Sequence, residues 1–383
     1  MNMPRGWIET LLSQNSSVAG VITAGGKASR MGGEDKGRLR VGGQAILSRV
    51  INTLRPQVST LLLNANGDGA RFADLDLDIK PDDPRGAGPL AGLLAGLEWA
   101  AQIGCPWLLS VPTDTPFLPA DLRIRLAVGL REPTGAAIAR SAGRNHPVIG
   151  LWSTALAGSL RRFLIDQGEL RATRWAQYCG AAIVDWPDDP VDPFFNVNTP
   201  DDRMKAEHLA SLSIRRAGAV VLPAGRDAYR LLHGFVTEAR RRGLPIGGLL
   251  QQGGKSIGTP PAEVMMLALD TGQSFPIMQR LGRHASCAAD TQQIALASVA
   301  LRRAIEQRRE PILVNKFGAL EAEGGGLIDE MLNGMAEGLP LLTTVSTERL
   351  AAWLACCGGL CELLPADPDA LWSWWERQSP QSA

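Results

Sequence analysis

Short apolar runs recur along the chain, each followed by a polar stretch carrying glycine, asparagine or proline and then by a segment with helical spacing. Residues 18–22 (VAGVI), 58–63 (VSTLLL) and 107–111 (WLLSV) are such runs. Continuous apolar segments of this length predict strands buried on both faces. Ile46, Leu47, Val50, Ile51 and Leu54 repeat at three- and four-residue spacing and predict a helix over 44–54, closed before Pro56. Residues 89–97 (PLAGLLAGL) predict a helix whose small side chains let it lie close on a sheet. A strand pair at 136–140 and 148–151 is expected around a turn at 141–146, followed by amphipathic helices over 156–165 and 171–178. Strand and helix alternate, which predicts an α/β domain with a mostly parallel sheet and helices on both faces.

The pattern lapses near residue 210 and then begins again. Strands are expected at 217–222, 246–250, 264–269, 311–314 and 339–343. Helices are expected at 229–242, in a long segment ending at 302–309, at 346–355, and around Trp372, Trp374 and Trp375. The expected organisation is a leader at 1–17, a first α/β domain at 18–210, a linker at 211–217 and a second α/β domain at 218–383. The second is not an evident repeat of the first.

Composition narrows the class. Among 383 residues, 39 Lys and Arg balance 39 Asp and Glu, so no overall field draws the protein to nucleic acid or an acidic membrane. No stretch approaches the roughly 20 apolar residues of a membrane span, and no secretory leader is evident. The six cysteines show no pairing pattern, which fits a reducing compartment, and a cytoplasmic protein is expected. Cys356, Cys357 and Cys361 lie in an apolar segment without zinc-site spacing and read as packing residues.

The densest chemistry follows the first strand. Gly25, Gly26, Gly32 and Gly33 alternate with Lys27, Arg30 and Lys36. Glycines let backbone N–H groups turn toward an anion, lysine adds a point charge, and arginine a planar fork. After a strand tip this is a phosphate cradle, with neither Walker A nor dinucleotide-fold spacing. Further polar residues stand at the ends of later strands: Asn64, Asp82 and Asp83, and Asp114 held between Pro112 and Pro116. A lone aspartate so fixed suits Mg2+, which takes only one or two protein carboxylates. Asn196 and Asn198 alternate on one extended piece before a helix capped near Thr199, with Pro200 in its first turn.

Taken in order, A-G-G-x-x-x-R-M-G-x-x-x-K (24–36), N-A-N (64–66), G-P-L-A-G (88–92), P-x-D-x-P-F (112–117), R-N-H-P (144–147) and N-x-N-T-P-D-D (196–202) resemble the molybdenum cofactor guanylyltransferase family over about half of the chain, 18 to roughly 209. Thr23 stands where that family usually has leucine. The resemblance implies a Rossmann-like nucleotidyltransferase fold, GTP and molybdopterin as substrates, and Mg2+. It implies that Thr23, Ala24, Gly25, Gly26, Lys36, Asn64, Asp82 and Asp114 bind the nucleotide, with Asp83 the neighbouring choice for Asp82. Arg30, Lys36 and Asp114 would act on the reacting phosphates, with Asp114 as metal ligand. His146, Asn196 and Asn198 would line the pterin side. Molybdoenzymes or other cofactor-synthesis proteins are the implied partners, with no nucleic acid and no membrane. Three residues separate Gly32 from Lys36, which favours guanine over the cytidylyl relatives. A non-catalytic molybdopterin carrier and a sugar-phosphate nucleotidyltransferase are the other readings.

The second half resembles a domain of unknown function associated with molybdenum metabolism and related to P-loop nucleoside triphosphatases. Gly247 to Gln251, Val314 to Gly318 and Glu321 to Gly326 carry that resemblance. Pro223-Ala224-Gly225-Arg226-Asp227 lacks the lysine of a working Walker A loop, and Asn315 stands where a metal-binding acid would be expected. A binding or delivery module is expected, with Lys316 and Glu321 as its candidate ligand residues.

Overall fold

A computed structural model describes residues 18–24, 36–67, 69–83, 88–131, 134–189, 191–210, 217–223, 228–253, 264–280, 287–358 and 360–378. The chain divides into two compact units, Met1–Ser213 and Ile214–Ala383. No described helix is long and apolar enough to cross a membrane.

The first unit runs β1 (Val18–Thr23), β2 (Arg40–Val41), β3 (Gln44–Ala45), α1 (Ile46–Leu54), β4 (Thr60–Asn64), β5 (Asp78–Lys80), α2 (Pro89–Gln102) and β6 (Trp107–Pro112). It continues through α3 (Leu122–Gly129), β7 (Ala136–Ser141), β8 (Arg144–Ser153), α4 (Ala157–Ile165), α5 (Ala172–Tyr178), β9 (Ala182–Asp185) and α6 (Pro200–Ala210). Seven strands form one sheet in the order β5-β4-β1-β6-β8-β7-β9, and β2 and β3 form a separate ladder. Only β8 runs against its neighbours. The apolar runs of the sequence are its central strands, with β1 buried along its whole length.

Helices cover both faces of this sheet. One face packs α1 and α3 with Trp186, Phe194 and Val197, and the other packs α2, α4 and α5 around Trp152 and Trp175. The small residues of α2 bring its backbone close to the strands. A methyl group on Gly96 would lie 2.8 Å from a Val21 carbon, and one on Gly92 only 2.4 Å from Asn64 Oδ1.

The hairpin differs from its sequence reading. The turn is tighter, with Ala142 and Gly143 both at positive φ. Arg144 and His146 therefore belong to β8 instead of the loop.

The second unit runs β10 (Ala217–Leu222), α7 (Tyr229–Arg241), β11 (Gly247–Gln252), β12 (Met265–Ala268), β13 (Ser274–Pro276), β14 (Met278–Arg280), β15 (Cys287–Ala289) and α8 (Thr291–Glu306). It ends with β16 (Ile312–Phe317), α9 (Ala319–Ala322), α10 (Ile328–Ala336), β17 (Leu341–Ser346), α11 (Leu350–Cys356), β18 (Cys361–Leu364) and α12 (Pro368–Gln378). Its main sheet has the order β13-β12-β11-β16-β17-β10-β18. Five neighbouring strands from β11 to β18 are parallel, whereas β12 and β13 add an antiparallel margin. That margin is made of short strands, β12 and β13 being joined by a turn, so it needs no crossover helix. β16 also extends to Phe317, so Asn315 and Lys316 lie within the strand.

Candidate functional site

Three parallel strands of the first unit end together. Thr23 stands in register with Asn64 of β4 and with Pro112 of β6. Beyond the ladder the edge is laced by backbone bonds: the Ala24 N–H donates to Asn64 O at 2.8 Å, and the Thr113 N–H to Thr23 O at 3.3 Å. The Thr23 hydroxyl donates to Val111 O at 3.3 Å. Thr23, Ala24, Asn64 and the segment bearing Asp114 thus share the carboxyl edge where ligands bind in open α/β sheets.

Asp114 is half-buried two residues past β6. Helix α3 starts at Leu122 with Asp121 as its N-cap residue, so Asp114 does not serve as that cap. Its carbonyl accepts the Val197 N–H at 2.9 Å. That bond ties the late segment 196–198 to the β6 edge, and the Thr115 hydroxyl adds a second tie to Asn196 Oδ1 at 3.2 Å. Val197 is fully buried in the core, so alternation along an extended segment turns Asn196 and Asn198 to the opposite side. Thr199 and Asp202 cap α6 reciprocally: Thr199 Oγ1 accepts the Asp202 N–H, and Asp202 Oδ2 accepts the N–H groups of Thr199 and Asn198.

Asn64 is buried, and its amide donates to Lys80 O at 3.2 Å. Asp82 is buried while Asp83 is exposed. Asn66 grips Asp82 from both ends, donating to its carboxylate at 2.5 Å and accepting its backbone N–H at 2.9 Å. Asp83 instead faces Arg161 at 3.3 Å.

His146 reaches the same end of the sheet from β8, which pairs antiparallel with β6 through Ser110 and Gly150 and runs past that pair toward the β6 terminus. Its Nε2 lies 2.9 Å from Ser141 Oγ, whose hydroxyl donates to Asp192 Oδ1 at 2.7 Å. A carboxylate only accepts, so Ser141 accepts from an Nε2–H imidazole. Burial pushes the His146 pKa down, against the opposing pull of Asp192, and the ring packs on Phe194 with centroids 5.1 Å apart.

Gly25, Gly26 and Arg30 lie outside the described residues, as does the Lys36 side chain, whose backbone opens the short helical segment Lys36–Arg38. The described part therefore brings Thr23, Ala24, Asn64, Asp114, Asn196 and Asn198 to one edge. Asp82 adjoins it through Asn66, and His146 is approached through its hairpin. Sequence reading passed over Thr115, Asn66, Ser141 and Asp192. Asn66 was visible as the second asparagine of N-A-N; the other three become evident only once distant segments are paired. A lone carboxylate at this edge, which leaves further positions to water and substrate oxygens, is chemistry that fits a small, hard cation.

Residues 20–181 match the family described as MobA-like NTP transferase domain, and residues 217–374 match Protein of unknown function (DUF2478). The chain is similar to the molybdenum cofactor guanylyltransferase of Rhodopseudomonas palustris (strain BisB5), 47% identical over 52% of this chain and 97% of the relative. It is likewise similar to that of Nitrobacter hamburgensis (strain DSM 10229 / NCIMB 13809 / X14), 48% identical over 50% of this chain and 94% of the relative. Among solved structures, it is similar to molybdopterin-guanine dinucleotide biosynthesis protein A from Archaeoglobus fulgidus. That match has 22% identity and a TM-score of 0.42, covering 51% of this chain and 98% of that chain.

Proposed function

Through its first unit the chain belongs to the molybdenum cofactor guanylyltransferase family, and we propose that it transfers GMP from GTP to the terminal phosphate of molybdopterin, releasing pyrophosphate. The observation that carries this reading is the bond from Val197 to Asp114, which sets the N-x-N segment beside the lone aspartate at the edge where β1 ends. The relatives span nearly their whole length on this unit, which supports placing the whole reaction there.

GTP would lie along the segment that follows Ala24, with Arg30 and Lys36 on its phosphates and Asn64 and Asp82 toward the nucleoside. Asp114 would hold Mg2+, which when bound supplies charge neutralisation to the phosphate oxygens. The attacking group is a phosphate monoester whose second pKa is near ~6, so it is ionised at neutral pH without a general base. The protein's task is then alignment: Asn196, Asn198 and neutral His146 would place the pterin so that its phosphate faces the α-phosphorus. The second unit is read as an accessory module that binds the cofactor or hands it to molybdoenzymes.

The test is incubation with Mg2+, molybdopterin and either GTP or CTP, with mass analysis of the products and assay of pyrophosphate. Dinucleotide should form with GTP, and Asp114→Asn should lower turnover by orders of magnitude. Equal use of CTP would overturn the guanine assignment, and cofactor delivery without nucleotide consumption would identify a carrier.

A further inference from the structure

Three polar side chains at the carboxyl end of β7 form a relay whose far end is open. Ser141 closes the strand and is almost wholly buried between Asp192 Oδ1 at 2.7 Å and His146 Nε2 at 2.9 Å. A serine has one proton to give, and an ionised carboxylate can only accept. The proton therefore goes to Asp192, and the serine oxygen receives the Nε2–H of the imidazole. Burial lowers the His146 pKa, Arg144 adding to that fall and Asp192 opposing it, so the ring is uncharged at neutral pH. Its Nδ1 then keeps a lone pair, and it makes no hydrogen bond among the described residues.

The placing of this ring is built into the strand. Along the β7–β8 ladder Ile138 pairs with Gly150 but Ala139 with His146, so Pro147, Val148 and Ile149 bulge out of β8. Bulges re-aim side chains beside binding sites. The Val148 carbonyl accepts the hydroxyl of fully buried Ser110 at 2.7 Å, and Ser110 in turn accepts the Trp152 indole N–H at 2.9 Å. Phe194 lies against the imidazole and is itself met edge-on by Trp186, with centroids 5.1 Å apart.

Asp192 also shapes the backbone. Its Oδ1 accepts the Phe194 N–H at 2.9 Å and its carbonyl accepts the Phe195 N–H at 3.2 Å. That turn opens the segment that runs on through Asn196 to the bond between Val197 and Asp114. One short stretch of chain thus ties the relay to the asparagines of the pterin side. An asparagine would close the turn equally well. Only an acceptor with no proton of its own dictates which way the Ser141 hydroxyl points, and among the described residues the Asp192 carboxylate forms no ion pair with lysine or arginine.

We propose that Asp192, acting through Ser141, is a positioning residue that fixes His146 as its Nε2–H tautomer, so that Nδ1 accepts a hydrogen bond from a ring N–H or amino group of the pterin substrate. The other tautomer would meet that donor with a donor. The substrate contact rests on the GMP-transfer reading; the tautomer does not.

Nitrogen-15 NMR of the full-length chain labelled at histidine tests it, because bare and protonated ring nitrogens resonate far apart. The chain has four histidines, and the signal missing from His146→Gln assigns the relevant one. Wild type should show Nε2 protonated and Nδ1 bare. Asp192→Asn, whose amide can donate to Ser141, frees that hydroxyl to point at Nε2 and should populate the Nδ1–H form. Adding Ser141→Ala to that variant removes the hydroxyl and should restore the Nε2–H form, which a histidine side chain favours in water. Equilibrium dialysis against molybdopterin without GTP should show about tenfold weaker binding by Asp192→Asn, the effect of one lost hydrogen bond, with GTP binding unchanged. A protonated Nδ1 in wild type, an unchanged tautomer in Asp192→Asn, or a reversed tautomer with unchanged molybdopterin binding overturns the proposal. A wild type that binds no molybdopterin would instead remove the GMP-transfer reading and the contact with it, while the nitrogen shifts still decide the tautomer.

Discussion

At Gly92 a missing methyl group determines how a helix meets the nucleotide edge. A Cβ there would stand 2.4 Å from Asn64 Oδ1 and 3.0 Å from Thr23 Cγ2, two residues expected to bind GTP. Gly92→Ala must push Asn64 from its bond to Lys80 O or lift α2 from the sheet. The expected outcome is a loss of stability of about 1–3 kcal/mol together with a raised KM for GTP and a smaller change in kcat. Thermal melts and steady-state kinetics check both; an unchanged KM would separate Asn64 from nucleotide binding. Other residue choices could not be read along the chain. Asp82 and Asp83 are equivalent in sequence, yet one is enclosed by Asn66 and the other faces solvent and Arg161. Glu321 looked like a ligand group because it follows a strand, and its carboxylate turns out to close a loop.

Among elements, long amphipathic or wholly apolar segments matched their sequence patterns because burial itself produced the periodicity. Helix α1 buries the same five apolar residues whose spacing predicted it. Short or polar elements were harder: β8 gains its first residues through pairing with β7 across the Ala142-Gly143 turn, and the β12–β13 margin depends on partners instead of its own composition. The start of α9 illustrates an element held by one side chain. Glu321 accepts two backbone N–H groups, those of Gly318 and Leu327. Glu321→Ala would leave both donors without that acceptor, and a loss of about 1–2 kcal/mol is expected. Denaturant unfolding of the second unit measures it, and a stability equal to wild type would mean that water replaces the carboxylate.

For the whole molecule, the division at Ser213 and Ile214 coincides with the extent of the curated relatives, which occupy about half of this chain and nearly all of themselves. A fragment comprising Met1–Ser213 should therefore fold and retain GMP transfer, with turnover of the full chain as the reference. Loss of turnover in a folded fragment would show that the second unit contributes to the reaction. The amino-acid sequence by itself determined the fold class, the longer alternating strands and helices, and many of the polar residues at strand ends, because each depends on local periodicity and composition. Which of those residues meet was decided only by tertiary structure. The bond between Val197 and Asp114, the enclosure of Asp82 by Asn66, and the Ser141 link from His146 to Asp192 all join segments that the sequence leaves apart. Sheet order brings such segments together, and a strand's own pattern records that it is buried without recording which strand lies next to it.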